Sequence, residues 1–568
     1  MTLPGTPTRT IGRLHIPALP RLAVVLGGFC LLTVLFFWPW LAHLSSALIG
    51  PPEDNMQDFW NSWHTAHAQS WKDLLFTRQI RFPEGTSLAY HSFAWPQVAA
   101  VAVLSRLFGG DFATILVLHN LTLLASFPLA AAAMFYLARY LLGDVQGRDF
   151  GAAIAGFVFA FNPWHVAQAM HHAHVSGIEF LPLFVLFYLW ALERKSLGWL
   201  VAAAAMQALC ALSSWYFFFY TLYFMVFHLL SLRLREGQWP RGWPLAASAL
   251  SIGMAVLLLS PWLTAMAAPG AQSSIYYPGH NTFVADLLAL VAFPPTHLLA
   301  QYGSGIYAAM TSNSWEGAVY LGLANLAFLA WAVTRRKDKT PGKAVLNYAL
   351  AGIVFFIILA GGEALHVGGH VTPLHLPGVI LAKLPLFANV RTPARAMVFA
   401  YLFLGLALAQ ASVMALRNHS TAARAGMALI AVLMLLDFVP VHLSTTPVIC
   451  PAALAGIAKE TGDFGVLDMP GGYSESNAAM MLSACHGHAI VLGETSRHMA
   501  FTLADRLQTG DLGEQKRQLT ASHVKYIVLH RPLGELFRWN KADGTFESYA
   551  NTYQTVRDGD GVTILRVY

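Results

Sequence analysis

The feature that most constrains this chain is a succession of apolar runs, each near the ~17–25 residues a helix needs to cross a bilayer. They fall at about 22–49, 112–142, 150–167, 176–192, 197–213, 215–232, 243–266, 317–334, 344–360, 396–416 and 425–443. The 568 residues are 56% hydrophobic and only 11% charged, against about 25% charged in an ordinary soluble domain. No water-soluble core hides that much apolar surface. The fold class read from this pattern is an α-helical polytopic membrane protein with about eleven transmembrane helices. The segment 93–108 is apolar but short, and is read as an interfacial helix.

The net charge of +6, from 35 basic and 29 acidic residues, comes from basic residues in short loops between apolar runs. With the N-terminus inside, Arg139, Arg148, Arg194, Lys195, Arg233, Arg235, Arg241, the run Arg335 to Lys343, Arg417 and Arg424 all fall on the cytoplasmic side. This is the positive-inside pattern, so no nucleic-acid partner is expected. Arg9, Arg13 and Arg21 precede a first span too long for a signal-peptide core, which is expected to be retained. An odd number of spans is expected to leave the C-terminus outside.

From about Thr445 the composition changes. "FGVLDMP", "AIVLGE", "HVKYIVLH" and "GVTILRVY" read as short strands, with the helical stretch "TLADRLQTGDLGEQKRQLTAS" between them. The expected division is a transmembrane part, 1–444, with an outer first loop at 50–111, and an extracytoplasmic α/β domain, 445–568. Cys30 and Cys210 fall inside spans. Cys450 and Cys485 either pair in an oxidising compartment or stay two separate thiols.

The unusual polar residues collect at the outer ends of the spans. "GPPEDNMQDFWNSWHTAH" carries Glu53, Asp54 and Asp58 beside Trp60 and Trp63. "FNPWHVAQAMHHAHVSGIEFLP" carries His165, His171, His172, His174 and Glu179. The outer loop 267–317 carries Tyr276, Tyr277, His280, Asp286, His297 and Glu316, and "LPLFANVRTPAR" carries Arg391 and Arg395. Each cluster has two readings. Asp58 and the two Trp suit an interfacial helix with its aromatic belt. His171 and His174 share a helical face that either binds a metal, with His165 one turn away, or is merely solvated. Glu179 is a ligand or a helix-start acid. Arg391 and Arg395 contact head groups, or clamp a phosphate. Taken together, a carboxylate can accept a proton from a hydroxyl while arginines offset a leaving phosphate.

The ordered set "EDNMQDFWNSWHTAHA", "RFPEGTSLAYHSF", "FAFNPWHVAQAMHHAHVSGIEFLPL", "LSSWYFFFY", "SWEGAVYLGL" and "LPLFANVRTPARAMVF" resembles the GT-C superfamily of membrane glycosyltransferases, most closely its bacterial YfhO-like branch. The resemblance covers about residues 20 to 440. It implies an inverting hexosyl- or pentosyltransferase that uses a polyprenyl-phosphate-sugar donor, membrane lipid and a cell-envelope acceptor. It makes Asp54 the catalytic carboxylate, with Glu53 second. It makes Glu179, His174, Glu316, Arg391 and Arg395 substrate contacts, and leaves room for a divalent cation (Mg or Mn) at His171 and His174. No nucleotide cofactor is implied. A lipid-linked saccharide flippase and a non-catalytic envelope scaffold are the rivals. A flippase predicts polar residues along a path through the spans, where few are found.

Overall fold

The computed structural model describes residues 19–268, 280–336, 342–417, 420–497, 501–532, 537–539 and 545–568. Tyr276 and Tyr277 lie outside them. Among the described residues, seven helices are long and apolar enough to cross a membrane: Phe112–Leu142, Arg148–His171, Ala173–Arg194, Trp215–Glu236, Lys343–Ala360, Pro393–Leu416 and Thr421–Phe438. The chain is thus a multi-pass membrane protein. The pair Trp243–Leu258 and Ser260–Ala267 makes an eighth span if counted as one, bent by 66°. Pro261 sits in the first turn of the second member, where its ring and missing N–H favour a new helix over continuation of the old one. Pro20–Phe36, Leu197–Ser213 and Leu323–Arg335 occupy the other three expected positions but are shorter. The long spans therefore number fewer than the expected eleven.

The segment expected at the interface forms the helix Trp95–Phe108. Val98 and Val101 are buried, whereas Val103, Leu107 and Phe108 are exposed. Such a helix has one face on protein and an apolar face left for lipid. Trp71, Trp95 and Trp262 meet beside it, with ring centroids 5.2–5.8 Å apart.

The C-terminal residues form a five-stranded sheet, in the order Gln554–Gly559, Val562–Arg566, Val524–His530, Gly465–Met469, Ala489–Ile490. The last three are parallel to one another, and Val562–Arg566 runs antiparallel to Val524–His530. Every residue of Gly465–Met469 is buried, as expected of a central strand covered on both faces. Cys450 and Cys485 are joined, tying the entry to this region to the helix Tyr473–His486.

The sheet does not pack alone. Ala47–Ile49, just after the first helix, pairs antiparallel with Thr445–Pro447, just after the last span. Backbone bonds join Gln79, Arg81 and Phe82 to the sheet edge at Ile490 and Leu492. The guanidinium of Arg81 donates to the carbonyl of Gly493 at 2.6 Å and pairs with Asp505 and Glu494. One apolar cluster contains Met56, Phe59, Trp60 and Trp63 together with Val101, Ala478, Met481 and Val466. Burying Met56 and Phe59 completely stabilises this junction by about 1.5–3 kcal/mol each.

This corrects one expectation. Trp60 and Trp63 are not an aromatic belt on the bilayer surface. They are buried in the cluster that joins the helices Trp95–Phe108 and Tyr473–His486, because the C-terminal region folds back over the loop that follows the first helix.

Candidate functional site

The helix Asp54–His67 begins after the turn Gly50–Pro51–Pro52. Gly50 has φ +101, and a Cβ there would lie 1.9 Å from the carbonyl oxygen of Met170. Only glycine permits this approach, which presses the loop after the first helix against the histidine-rich segment. The Asn55 side chain fixes the turn by accepting from the Glu53 N–H at 3.1 Å and donating to the Ile49 carbonyl at 3.0 Å.

The facing segment starts at Asn162–Pro163. The Asn162 side chain caps the helix Pro163–His171 by accepting from the His165 N–H, the pairing expected of Asn before a first-turn Pro. The helix breaks at His172, with φ −145 and ψ 86, before resuming at Ala173. His171 and His174 therefore do not share a continuous helical face, as the sequence spacing suggested. Asp58 holds the break by accepting from the Ala173 N–H at 2.9 Å, so this acid is an internal brace and not the start of a surface helix.

Burial foremost, with the charge of Asp54 adding to it, pushes Asp58 up to about 8, against the hydrogen bonds from Ala173 and Asn61. A carboxyl raised this way favours the fold when protonated. Its contribution is full below the unfolded value of 3.8 and is lost as pH rises toward about 8. Asp58→Asn keeps an acceptor for Ala173 and removes the titration. Thermal unfolding in detergent is expected to show the wild type losing stability between pH 5 and 9 more steeply than this variant.

Four separate segments converge at the break. His171 Nδ1 lies 2.9 Å from Glu53 Oε2, and its ring stacks on Trp315 at 4.4 Å. His172 Nε2 lies 3.4 Å from Asp54 Oδ2, and its Nδ1 lies 3.8 Å from Glu316 Oε1. His174 meets His172 edge to face at 5.6 Å. Glu316 is buried. It accepts from Arg395 Nε at 3.0 Å and from Gln168 Nε2 at 3.2 Å, and also pairs with Arg395 Nη2. The Tyr216 ring lies 4.7 Å from the same guanidinium, a favourable cation–π distance.

The electrostatics separate the acids. Burial pushes Asp54 up, but the hydrogen bond and charge of His172 together with the Tyr473 hydroxyl outweigh it, and Asp54 is held below 3.8. Burial also pushes Glu316 up, and Arg395 with His172 outweighs it, so this carboxyl too is held low. Asp54 and Asp58, one turn apart, are thus driven in opposite directions. At neutral pH the first is ionised and available to accept a proton, and the second is not.

Tyr473 comes from the C-terminal region, and its hydroxyl donates to Asp54 Oδ1 at 2.9 Å. No sequence signal pointed to it; it is remote in the chain and only the docking of the sheet brings it near. His172 stood out with its neighbouring histidines but was given no role, and Gln168, Trp315 and Tyr216 were given none although each lies in a motif that carries the resemblance.

The structure does not bring Glu179 into this cluster through any contact. It begins the helix Phe180–Arg194, is buried, and its Oε2 has no hydrogen-bond partner among the described residues. His165 turns into the core, between the carbonyls of Ala160 and Ser176. Asp286 binds the backbone N–H groups of Leu288, Gly368 and Gly369, which is a structural task. Glu53 faces His171, and His172 lies between Asp54 and Glu316; among the described residues no three His, Cys, Asp or Glu side chains gather as ligands. No step is routed through a cation.

The architecture is a bundle of apolar helices with an α/β region packed over an acidic first loop. Residues 24–439 match the family described as Domain of unknown function (DUF6311), and the chain belongs to that family. No curated protein matches it in sequence. Among solved structures it is similar to the arabinofuranosyltransferase AftD from Mycobacteria. The TM-score is 0.57 at 14% identity, covering 97% of this chain and 40% of that one. A mutant form of AftD gives 0.56 at 15% identity, over 96% of this chain and 41% of that one. The oligosaccharyltransferase AglB from Archaeoglobus fulgidus gives 0.48 at 13% identity, over 90% and 69%, too low to argue from. The chain thus spans about two fifths of the length of AftD.

Proposed function

We propose that this protein is a membrane glycosyltransferase of the GT-C type. It moves a sugar from a polyprenyl-phosphate-linked donor to an acceptor hydroxyl at the outer face of a bacterial cytoplasmic membrane, with inversion. The observation that carries this is the convergence of Asp54, His172, Glu316 and Arg395 from four segments at the ends of apolar helices. That set supplies a base and a cation side by side.

In this reading the acceptor oxygen attacks C1 of the donor sugar and forms the new C–O bond. Its proton passes to Asp54, and the C1–O bond to phosphate breaks with the electron pair leaving on phosphate. Glu316 holds Arg395 through Nε and Nη2, and Nη1 makes no hydrogen bond among the described residues. Nη1 is the edge we assign to the departing phosphate. Next to the Arg395 segment lies a cavity of about 20 Å³, room for about one water molecule, lined by Tyr220, Tyr223, Leu381, Phe387 and Pro393. The resemblance to the YfhO-like branch, the eleven-span count and the division at 444/445 belong to this same reading. The test is release of sugar from purified wild-type protein supplied with polyprenyl-phosphate-linked pentoses and hexoses. Failure to consume any of them would favour the flippase or the scaffold.

The orientation has its own test. The Cys450–Cys485 bond suits an oxidising compartment. After treatment of spheroplasts with an impermeant reductant, an impermeant maleimide is expected to label these two cysteines and to spare Cys30 and Cys210. Labelling only after lysis would reverse the orientation.

A further inference from the structure

Tyr473 is 58% exposed, yet its hydroxyl is held on Asp54 at 2.9 Å. Its ring is therefore tethered at the carboxylate while much of its surface stays open. Asp54 in turn contacts His172 at 3.4 Å, and the preceding Glu53, whose side chain is 40% exposed, contacts His171 at 2.9 Å. The C-terminal region also reaches the rim at a second place. Arg497 donates to Asn389 Oδ1 at 2.7 Å and lies over the Tyr90 ring at 5.3 Å.

A flat apolar plate bordered by acceptors and donors is complementary to a sugar ring, which offers C–H groups on its face and hydroxyls around its edge. Glu53 and Asp54 beside the plate disfavour an anionic acceptor such as a phosphate or an acidic lipid. A lipid alcohol would need a wider apolar surface than one phenol ring. Building on the glycosyltransferase reading, we propose that the acceptor is a neutral saccharide, and that the open face of Tyr473 is the platform on which it lies while Asp54 takes the proton from one of its hydroxyls. The bonds made and broken are those given above. The hydroxyl of Tyr473 positions Asp54, and the ring positions the acceptor.

These two contributions separate by substitution. Tyr473→Phe keeps the plate and loses the hydrogen bond; Tyr473→Leu loses both. Binding of a neutral trisaccharide to the purified full chain, followed by saturation-transfer NMR, needs no turnover and is independent of the donor. The wild type and Tyr473→Phe are expected to bind alike, and Tyr473→Leu about tenfold more weakly, the scale of one aromatic contact. Absence of binding in the wild type, or equal binding in all three, overturns the proposal. Preferential binding of a Ser/Thr peptide or of phosphatidylglycerol over the trisaccharide does so too. With a consumable donor, Tyr473→Phe is also expected to show an acid limb at higher pH than the wild type, whose own limb from Asp54 lies below about pH 4, because an ionised Asp54 has lost a donor; coincident profiles remove the positioning role. Donor consumption by the wild type decides the glycosyltransferase reading separately, so the two failures are distinguishable.

Discussion

Asp54→Asn is expected to lower sugar transfer by about 10²–10⁴-fold, the range of a positioned general base. The substitution keeps size and shape. An amide oxygen still accepts from the Tyr473 hydroxyl, so folding and donor binding are expected to survive. Glu53→Gln should cost far less, since Glu53 faces His171 and not the central His172. Because Asp54 is held below 3.8, it is the ionised carboxylate that works, and no acid limb from this residue is expected above about pH 4. Steady-state transfer by both variants across pH 4–9 checks this. Equal losses in the two would remove the distinction between base and neighbour, and full activity of Asp54→Asn would remove the catalytic assignment.

Breaking the Glu316–Arg395 pair is expected to have the largest effect on stability. Both side chains are buried, at 3% and 7% exposure. Arg395→Met leaves the Glu316 carboxylate without its cation in a dry site. Removing one member of such a pair costs about 3–5 kcal/mol, whereas replacing both by groups of similar shape is often close to neutral. Thermal unfolding in detergent should therefore show a large loss for Arg395→Met and a substantial recovery for Glu316→Gln with Arg395→Met. The recovered double variant should remain inactive if Arg395 also meets the departing phosphate. Recovery of both stability and transfer would make the pair purely structural.

Much of the membrane part was legible in the sequence because bilayer thickness imposes length and apolarity on each crossing helix. The strands "FGVLDMP", "HVKYIVLH" and "GVTILRVY" were legible through their β-branched runs, and each forms. Gln554–Gly559 was not, because it is an exposed edge strand with little apolar alternation. The helix Leu197–Ser213 coincides with its apolar run, whereas Leu323–Arg335 is shorter than the run at 317–334; an apolar run counts equally whether lipid or protein surrounds it.

The site was legible in part and for a definite reason. Carboxylates, histidines and arginines are conspicuous in a chain with only 11% charged residues, so Glu53, Asp54, His171, His174, Glu316, Arg391 and Arg395 stood out. Their mutual arrangement did not follow. Helical spacing joined His171 to His174, but the break at His172 turns His172 toward Asp54 and Glu316. Sequence placed Trp60 and Trp63 at the bilayer surface, but the docking of the C-terminal helix Tyr473–His486 buries them.

By itself the sequence determined that this is a chain of apolar helices with ionisable groups confined to their ends, because each charge left at mid-bilayer carries a large free-energy cost. Only the tertiary structure decided which of those groups meet. Glu316 is matched to Arg395 and Tyr473 to Asp54 by chain segments 79 and 419 residues apart. Contacts at that separation depend on how helices and sheet pack, which local periodicity does not encode.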